Sequence, residues 1–190
     1  MEPSDDAELR VLGSLIEKQR TTPDSYPLSL NALRLACNQS SSRDPVVDYD
    51  EATIRAALER LSRKGWVRLA SGPGSRAAKY RQLFGEAMGL DEPELALLAV
   101  LMLRGPQTVG ELKQRTERLH GFRALEDVER ALATLIDREL VAELPRRRYG
   151  HLLGGGDTET PAPPPRPELE ERVRRLEEEV AALREALEER

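Results

Sequence analysis

The sequence predicts a mainly α-helical protein with small β-hairpins, in which a unit of three helices and a hairpin occurs twice and a coiled-coil helix follows. Three stretches predict this. In residues 50 to 82, DEATIRAALERLSRKGWVRLASGPGSRAAKYRQ, the residues Ile54, Ala57, Leu58 and Leu61 recur at helical spacing; after Gly65 two short apolar runs flank a turn-rich segment. LEDVERALATLIDRELV then aligns with EATIRAALERLSRKGWV without a gap: Val128 stands for Ile54, Ala131 for Ala57, Leu132 for Leu58, Leu135 for Leu61, Leu140 for Trp66 and Val141 for Val67. Residues 168 to 190 repeat their apolar positions every seven residues. Three helices running into a hairpin are the order of a winged helix. The expectation is a first winged-helix domain over 1–84, a second with a short wing over 85–153, a flexible Gly/Pro linker over 154–167 and a coiled-coil helix over 168–190.

The first helix follows from Asp5 and Glu8 at capping-box spacing and from Leu9, Leu12, Leu15 and Ile16 on one face. Pro23 and Pro27 require extended chain after it. Ser29 caps a second helix with Leu30, Leu33 and Ala36 or Cys37 inward, and a loop over 40–49 leads to Asp50, the cap of the third. In the second unit Asp91 with Glu94 and Thr108 with Glu111 repeat the capping boxes, and Leu95, Leu98, Leu101 and Met102 repeat the first apolar face. LPRRRYGHLL offers only Pro145 to Gly150 as a hairpin tip, so this wing is expected to be short or absent.

In the tail, Leu169, Leu176 and Leu183 alternate with Val173, Val180 and Leu187 at spacings of four and three. Leucine at d with β-branched residues at a favours a parallel two-stranded coiled coil, and Arg172 would meet Glu177, and Glu179 would meet Arg184, across the pair. A homodimer is expected through these six residues; the alternatives are a helix folded back on its own domain and one that stays unfolded alone.

Composition narrows the function. With 39% apolar and 33% charged residues and no apolar run near the ~20 residues of a membrane span, a cytoplasmic protein without a membrane partner is expected. The N-terminus MEPSDDAELR lacks the apolar stretch of a signal peptide. Cys37 is the one cysteine and is read as a small buried side chain, while His120 and His151 are read as surface or cap residues, so no metal or cofactor is expected. No P-loop, GxGxxG, GxSxG or HExxH occurs, and no enzymatic activity is expected.

The net charge of −5 is uneven: residues 1–84 carry 13 Lys and Arg against 11 Asp and Glu, whereas residues 154–190 carry 6 against 11. The first unit is therefore the better candidate for double-stranded DNA, with the third helix in the major groove and the wing on the backbone. Its candidate contacts are Arg55, Arg60, Arg63 and Lys64 on the helix, Arg76 and Lys79 on the wing, and Arg43 in the preceding loop; Arg43 could instead pair with Asp44 or Asp48. Arg146, Arg147 and Arg148 form a basic knob on the second hairpin, read as a solvated turn or a phosphate contact. The second unit's helix presents Glu126, Asp127, Glu129 and Asp137, which oppose phosphates. The competing expectation is a protein-interaction scaffold built from winged helices without DNA binding.

The stretch IEKQRTTPDSYPLSLNALRLACNQSSSRDPV, with GSRAAKYR, LMLRGPQTVGELKQRTERLHGF and YGHLL, resembles a bacterial family of unassigned function, the YceH-like proteins, over about residues 5 to 153. The resemblance implies two tandem winged helices, often with a C-terminal coiled coil, and carries no biochemical activity. Two positions depart from the family pattern: Ser40 replaces a usual lysine after ACNQ, and the second hairpin is abbreviated.

Overall fold

In the computed structural model the chain divides into a compact unit over Met1–Asp157 and a second over Thr158–Arg190. The structure describes residues 3–70 and 77–154. The coiled-coil candidates Leu169, Val173, Leu176, Val180, Leu183 and Leu187, most of the linker, and Arg76 lie outside the described residues.

The described chain is mainly helical with two small antiparallel sheets. Helix α1 spans Asp6–Thr21, followed by a short 3₁₀ turn over Pro23–Ser25 and strand β1 at Leu28–Ser29; α2 covers Leu30–Cys37 and α3 Glu51–Arg63. Strands β2 (Val67–Leu69) and β3 (Lys79–Gln82) form a hairpin, and a short helix α4 (Phe84–Met88) ends the first repeat. The series then recurs as α5 (Glu92–Arg104), β4 (Gln107–Thr108), α6 (Val109–Thr116), α7 (Leu125–Asp137), β5 (Val141–Leu144) and β6 (Arg148–His151).

The expected caps are in place. Asp5, Asp91 and Thr108 each form a capping box with the glutamate three residues on, and Ser29 and Asp50 cap α2 and α3. Two strands were not expected, β1 and β4, each only two residues long. Each adds a third strand, giving the orders β1-β3-β2 and β4-β6-β5. The register is repeated: Leu28 lies opposite Tyr80 and Ser29 opposite Lys79, as Gln107 lies opposite Tyr149 and Thr108 opposite Arg148. The segment after α1, expected to be extended throughout, first makes the 3₁₀ turn at Pro23, whose ring suits a first helical position. The second hairpin is short but regular, with Leu144 paired to Arg148 around a three-residue turn.

The aligned apolar positions of α3 and α7 are buried in both copies, except that Ala131 is only partly covered where Ala57 is buried. Both helices also end alike: Gly65 and Glu139 adopt positive φ of 73° and 56°, and the next amides, of Trp66 and Leu140, return to the carbonyls of Leu61 and Leu135. The core is continuous across the two repeats. At its centre α1 packs most extensively on α5, and both are buried almost all round, Glu8 to Ile16 and Glu94 to Leu103. Gly13 makes this approach close, because a Cβ there would fall 2.9 Å from Leu103 Cγ. Trp66 stacks edge-on against the buried Phe84 at 4.8 Å, fixing the end of the first hairpin against α4. Among the described residues no helix is long and apolar enough to cross a membrane.

Cys37 is fully buried, as expected, and burial pushes its thiol up to about 11. His151, expected at the surface, is instead a largely covered residue of β6; burial lowers its pKa, and its Nδ1 has no hydrogen-bond partner among the described residues.

Candidate nucleic-acid interface

The cations that the sequence groups on the first unit do not form one free surface. Arg43 is the clearest correction. Its guanidinium is fully buried, donating to the Ala36 carbonyl at 2.8 Å, to the carboxylate of Glu17 at 2.7 and 3.1 Å and to Gln39 Oε1 at 3.1 Å. Its partner is therefore neither a phosphate nor Asp44 or Asp48, but a residue on α1. Burial alone would push the Glu17 carboxyl up, but the bonds and charge of Arg43 outweigh it and hold that carboxyl below its ordinary range.

Arg60 and Lys64 are brought together, but on an acidic residue. Lys64 Nζ lies 3.1 Å from Glu8 Oε1 and donates to the Pro3 carbonyl and to Ser4 Oγ at 3.1 and 2.9 Å. It also lies 5.3 Å from the centre of the Trp66 ring. Arg60 donates to Asp5 at 2.5 Å and lies 3.7 Å from Glu8, which is only 3% exposed. Because α3 crosses α1 here, both cations point along the helix pair towards the α1 N-terminus rather than outward.

What remains on the exposed stripe of α3 is balanced. Arg55 is open to solvent, 4.0 Å from Glu51, a pair worth at most a few tenths of a kcal/mol. Arg63 is exposed with no ion-pair partner among the described residues, beside the exposed Glu59. Lys79 is exposed on β3. On the second hairpin Arg146 and Arg147 occupy the exposed turn with φ of 63° and 54°, whereas Arg148 donates to the Pro106 carbonyl and lies 3.8 Å from Glu111.

The face of α7 is acidic and partly apolar. Glu126, Glu129, Asp137 and Glu139 are exposed, with Leu125 and Ile136 at 47% and 37% exposure. Arg130 pairs with Asp127 at 3.3 Å, and Arg138 bonds back to Glu94 and to the carbonyls of Met88 and Gly89. Beside this helix a groove of about 500 Å³ opens against the N-terminus of α5, with Phe122 and His120 stacked edge-on along it. A smaller cavity lies between α1 and α5, lined by Lys18, Arg104, Arg115 and Arg118. Sequence reasoning missed it because these cations lie on separate elements at spacings that form no motif.

Residues 4–150 match the family described as "Protein of unknown function, DUF480", and the chain belongs to it. Its relatives include a UPF0502 protein of Opitutus terrae, 48% identical over 94% of this chain and 82% of the relative. Others are a UPF0502 protein of Pelobacter propionicus, 50% identical over 94% and 89%, and one of Solibacter usitatus, 49% identical over 97% and 94%. The YceH-like resemblance is consistent with this bacterial family.

Proposed function

We propose that the chain is a non-enzymatic tandem winged-helix protein that acts in the cytoplasm as a protein-docking module. The winged-helix reading is supported by three helices followed by a hairpin, with a third strand between the first two helices, occurring twice in the same register. The observation that carries the docking reading is the charge on the two third helices. A helix that enters a DNA groove gains from each cation it presents and loses from each carboxylate. On α3 the exposed Arg55 and Arg63 are opposed by Glu51 and Glu59, and on α7 carboxylates dominate around the exposed Leu125 and Ile136. Acidic residues around apolar ones suit a partner with a basic rim and an apolar centre. The heptads of Leu169, Val173, Leu176, Val180, Leu183 and Leu187 support a homodimer, which would present each face twice.

A second reading, double-stranded DNA bound by its backbone, is favoured by the exposed Arg63, Arg146 and Arg147, which have no ion-pair partner among the described residues. One assay separates the two. With mixed duplex DNA titrated from about 50 to 200 mM salt, docking without DNA gives no shift at any salt. A shift that falls steeply with salt and is abolished by Arg63→Glu would replace the docking reading with the DNA one. For the docking reading itself, in-cell cross-linking should join partner peptides to α7, and Glu126→Lys with Glu129→Lys should remove those cross-links.

A further inference from the structure

Between the C-terminal half of α1 and the α2–α3 loop on one side, and α5 and α6 on the other, lies a polar cavity of about 180 Å³. Lys18 comes from α1, Arg104 ends α5, Arg115 belongs to α6 and Arg118 follows it, so both repeats contribute. Ser41 and Ser42 add hydroxyl-bearing residues to the lining, whereas the Thr21 hydroxyl donates to the Glu17 carbonyl.

One carboxylate, that of Glu17, lines the cavity itself, and both it and the nearby Glu111 are already committed. Glu17 accepts from the buried Arg43 and lies 3.3 Å from Lys18, and Glu111 is shared by Arg115 at 3.3 Å and Arg148 at 3.8 Å. The guanidinium groups of Arg104 and Arg118 have neither ion pair nor hydrogen bond among the described residues. Arg104 is half-buried, and its pKa is lowered by burial and then by the charges of Arg115 and Arg43. A guanidinium held in that position among like charges, only partly offset by Glu17 and Asp44, is stabilised by an anion that several donors can share.

We propose that this cavity binds a small phosphate-bearing ligand through Lys18, Arg104, Arg115 and Arg118. Its volume is well below the ~300 Å³ at which pockets for drug-sized molecules begin, so it takes a phosphate or diphosphate group and not a whole nucleotide. Guanidinium groups match phosphate oxygens two at a time, and three of the four cations are arginines. The site does not depend on the docking reading, since none of its residues belongs to the α3 or α7 faces.

The probe is pyrophosphate, added to the full chain while thermal unfolding is followed, with sodium chloride adjusted to constant ionic strength. Binding raises the melting temperature saturably where chloride does not. Arg118→Ala, at an exposed position that leaves the core intact, weakens pyrophosphate about tenfold, and Arg104→Gln weakens it further. The proposal is overturned if chloride gives the same rise or if Arg118→Ala titrates like the wild type. It is also overturned if a short DNA duplex displaces pyrophosphate, which would assign the cavity to a nucleic-acid backbone. Should Arg104→Gln fail to fold, the Arg118→Ala titration decides alone.

Discussion

Lys64 and Arg138 stand at the same place in the two repeats and close the same latch. Lys64 reaches Glu8 at 3.1 Å and the carbonyl of Pro3, and Arg138 reaches Glu94 at 3.4 Å and the carbonyl of Gly89. Glu8 and Glu94 are the third residues of the helices they cap, so each latch ties the end of the third helix of a repeat to the start of its first. The duplication identifies Lys64 as structural. Replacing it with Met leaves the 3% exposed Glu8 with the Asp5 amide and with Arg60 as its one remaining cation, and should cost about 2–3 kcal/mol in urea unfolding. Arg138→Met should cost about 1 kcal/mol, because the Arg138 side chain is 32% exposed where that of Lys64 is 12% exposed.

Glu139 holds a left-handed backbone that its counterpart fills with Gly65, where a Cβ would meet nothing within 4 Å. The penalty there is conformational rather than steric. Glu139→Gly should therefore stabilise the protein by about 1 kcal/mol, and Gly65→Ala should destabilise it by a similar amount, both read from denaturant midpoints at unchanged slope.

Gly13 sets the distance between α1 and α5. A valine there would drive a methyl group into Leu103 and Met102, on the most extensive helix contact of the fold, and should cost about 2–3 kcal/mol. A compensating Leu103→Ala in the same chain should recover part of that loss, which a double-mutant cycle would read as coupling.

Cys37 should resist thiol reagents in the folded protein at about pH 8, and react at the rate of unfolding when denaturant is added. The sign of its linkage is fixed by the raised pKa. Between about 8.5, where an unfolded thiol titrates, and about 11, the native state keeps a proton that the unfolded chain has released. Stability contributed by this group is full below that window and falls as pH rises through it. Cys37→Ala should remove this part of the alkaline slope, measured as the difference from wild type.

The helices and their caps were legible because their signals are local. Asp5 and Glu8, like Thr108 and Glu111, lie only three residues apart, and the apolar stripe of α3 reads directly from its spacing. Strands β1 and β4 were not legible, since two residues show no period and exist only through their pairing with β3 and β6. The engagement of Arg43, Arg60 and Lys64 was not legible for the same reason. Arg43 finds Glu17 far upstream rather than the nearby Asp44, and Lys64 finds Glu8 across the helix crossing. Charge on a helix surface can be read from sequence; which of those charges another element will consume cannot.

The amide of Ser4 donates to the carbonyl of Leu153 at 2.8 Å, and Ser4 bridges to Gly154. The opening residues of the body therefore lack their backbone partner until the last of it has been synthesised. On the ribosome, α1 can gather α2 and α3 early and Lys64 can close on its leading end, yet the Ser4 amide meets its backbone partner only after β6 emerges. A nascent chain halted before the second repeat would leave the Ser4 amide without its partner and the face of α1 that packs on α5 uncovered, so the N-terminal repeat waits for its twin to close its largest helix contact.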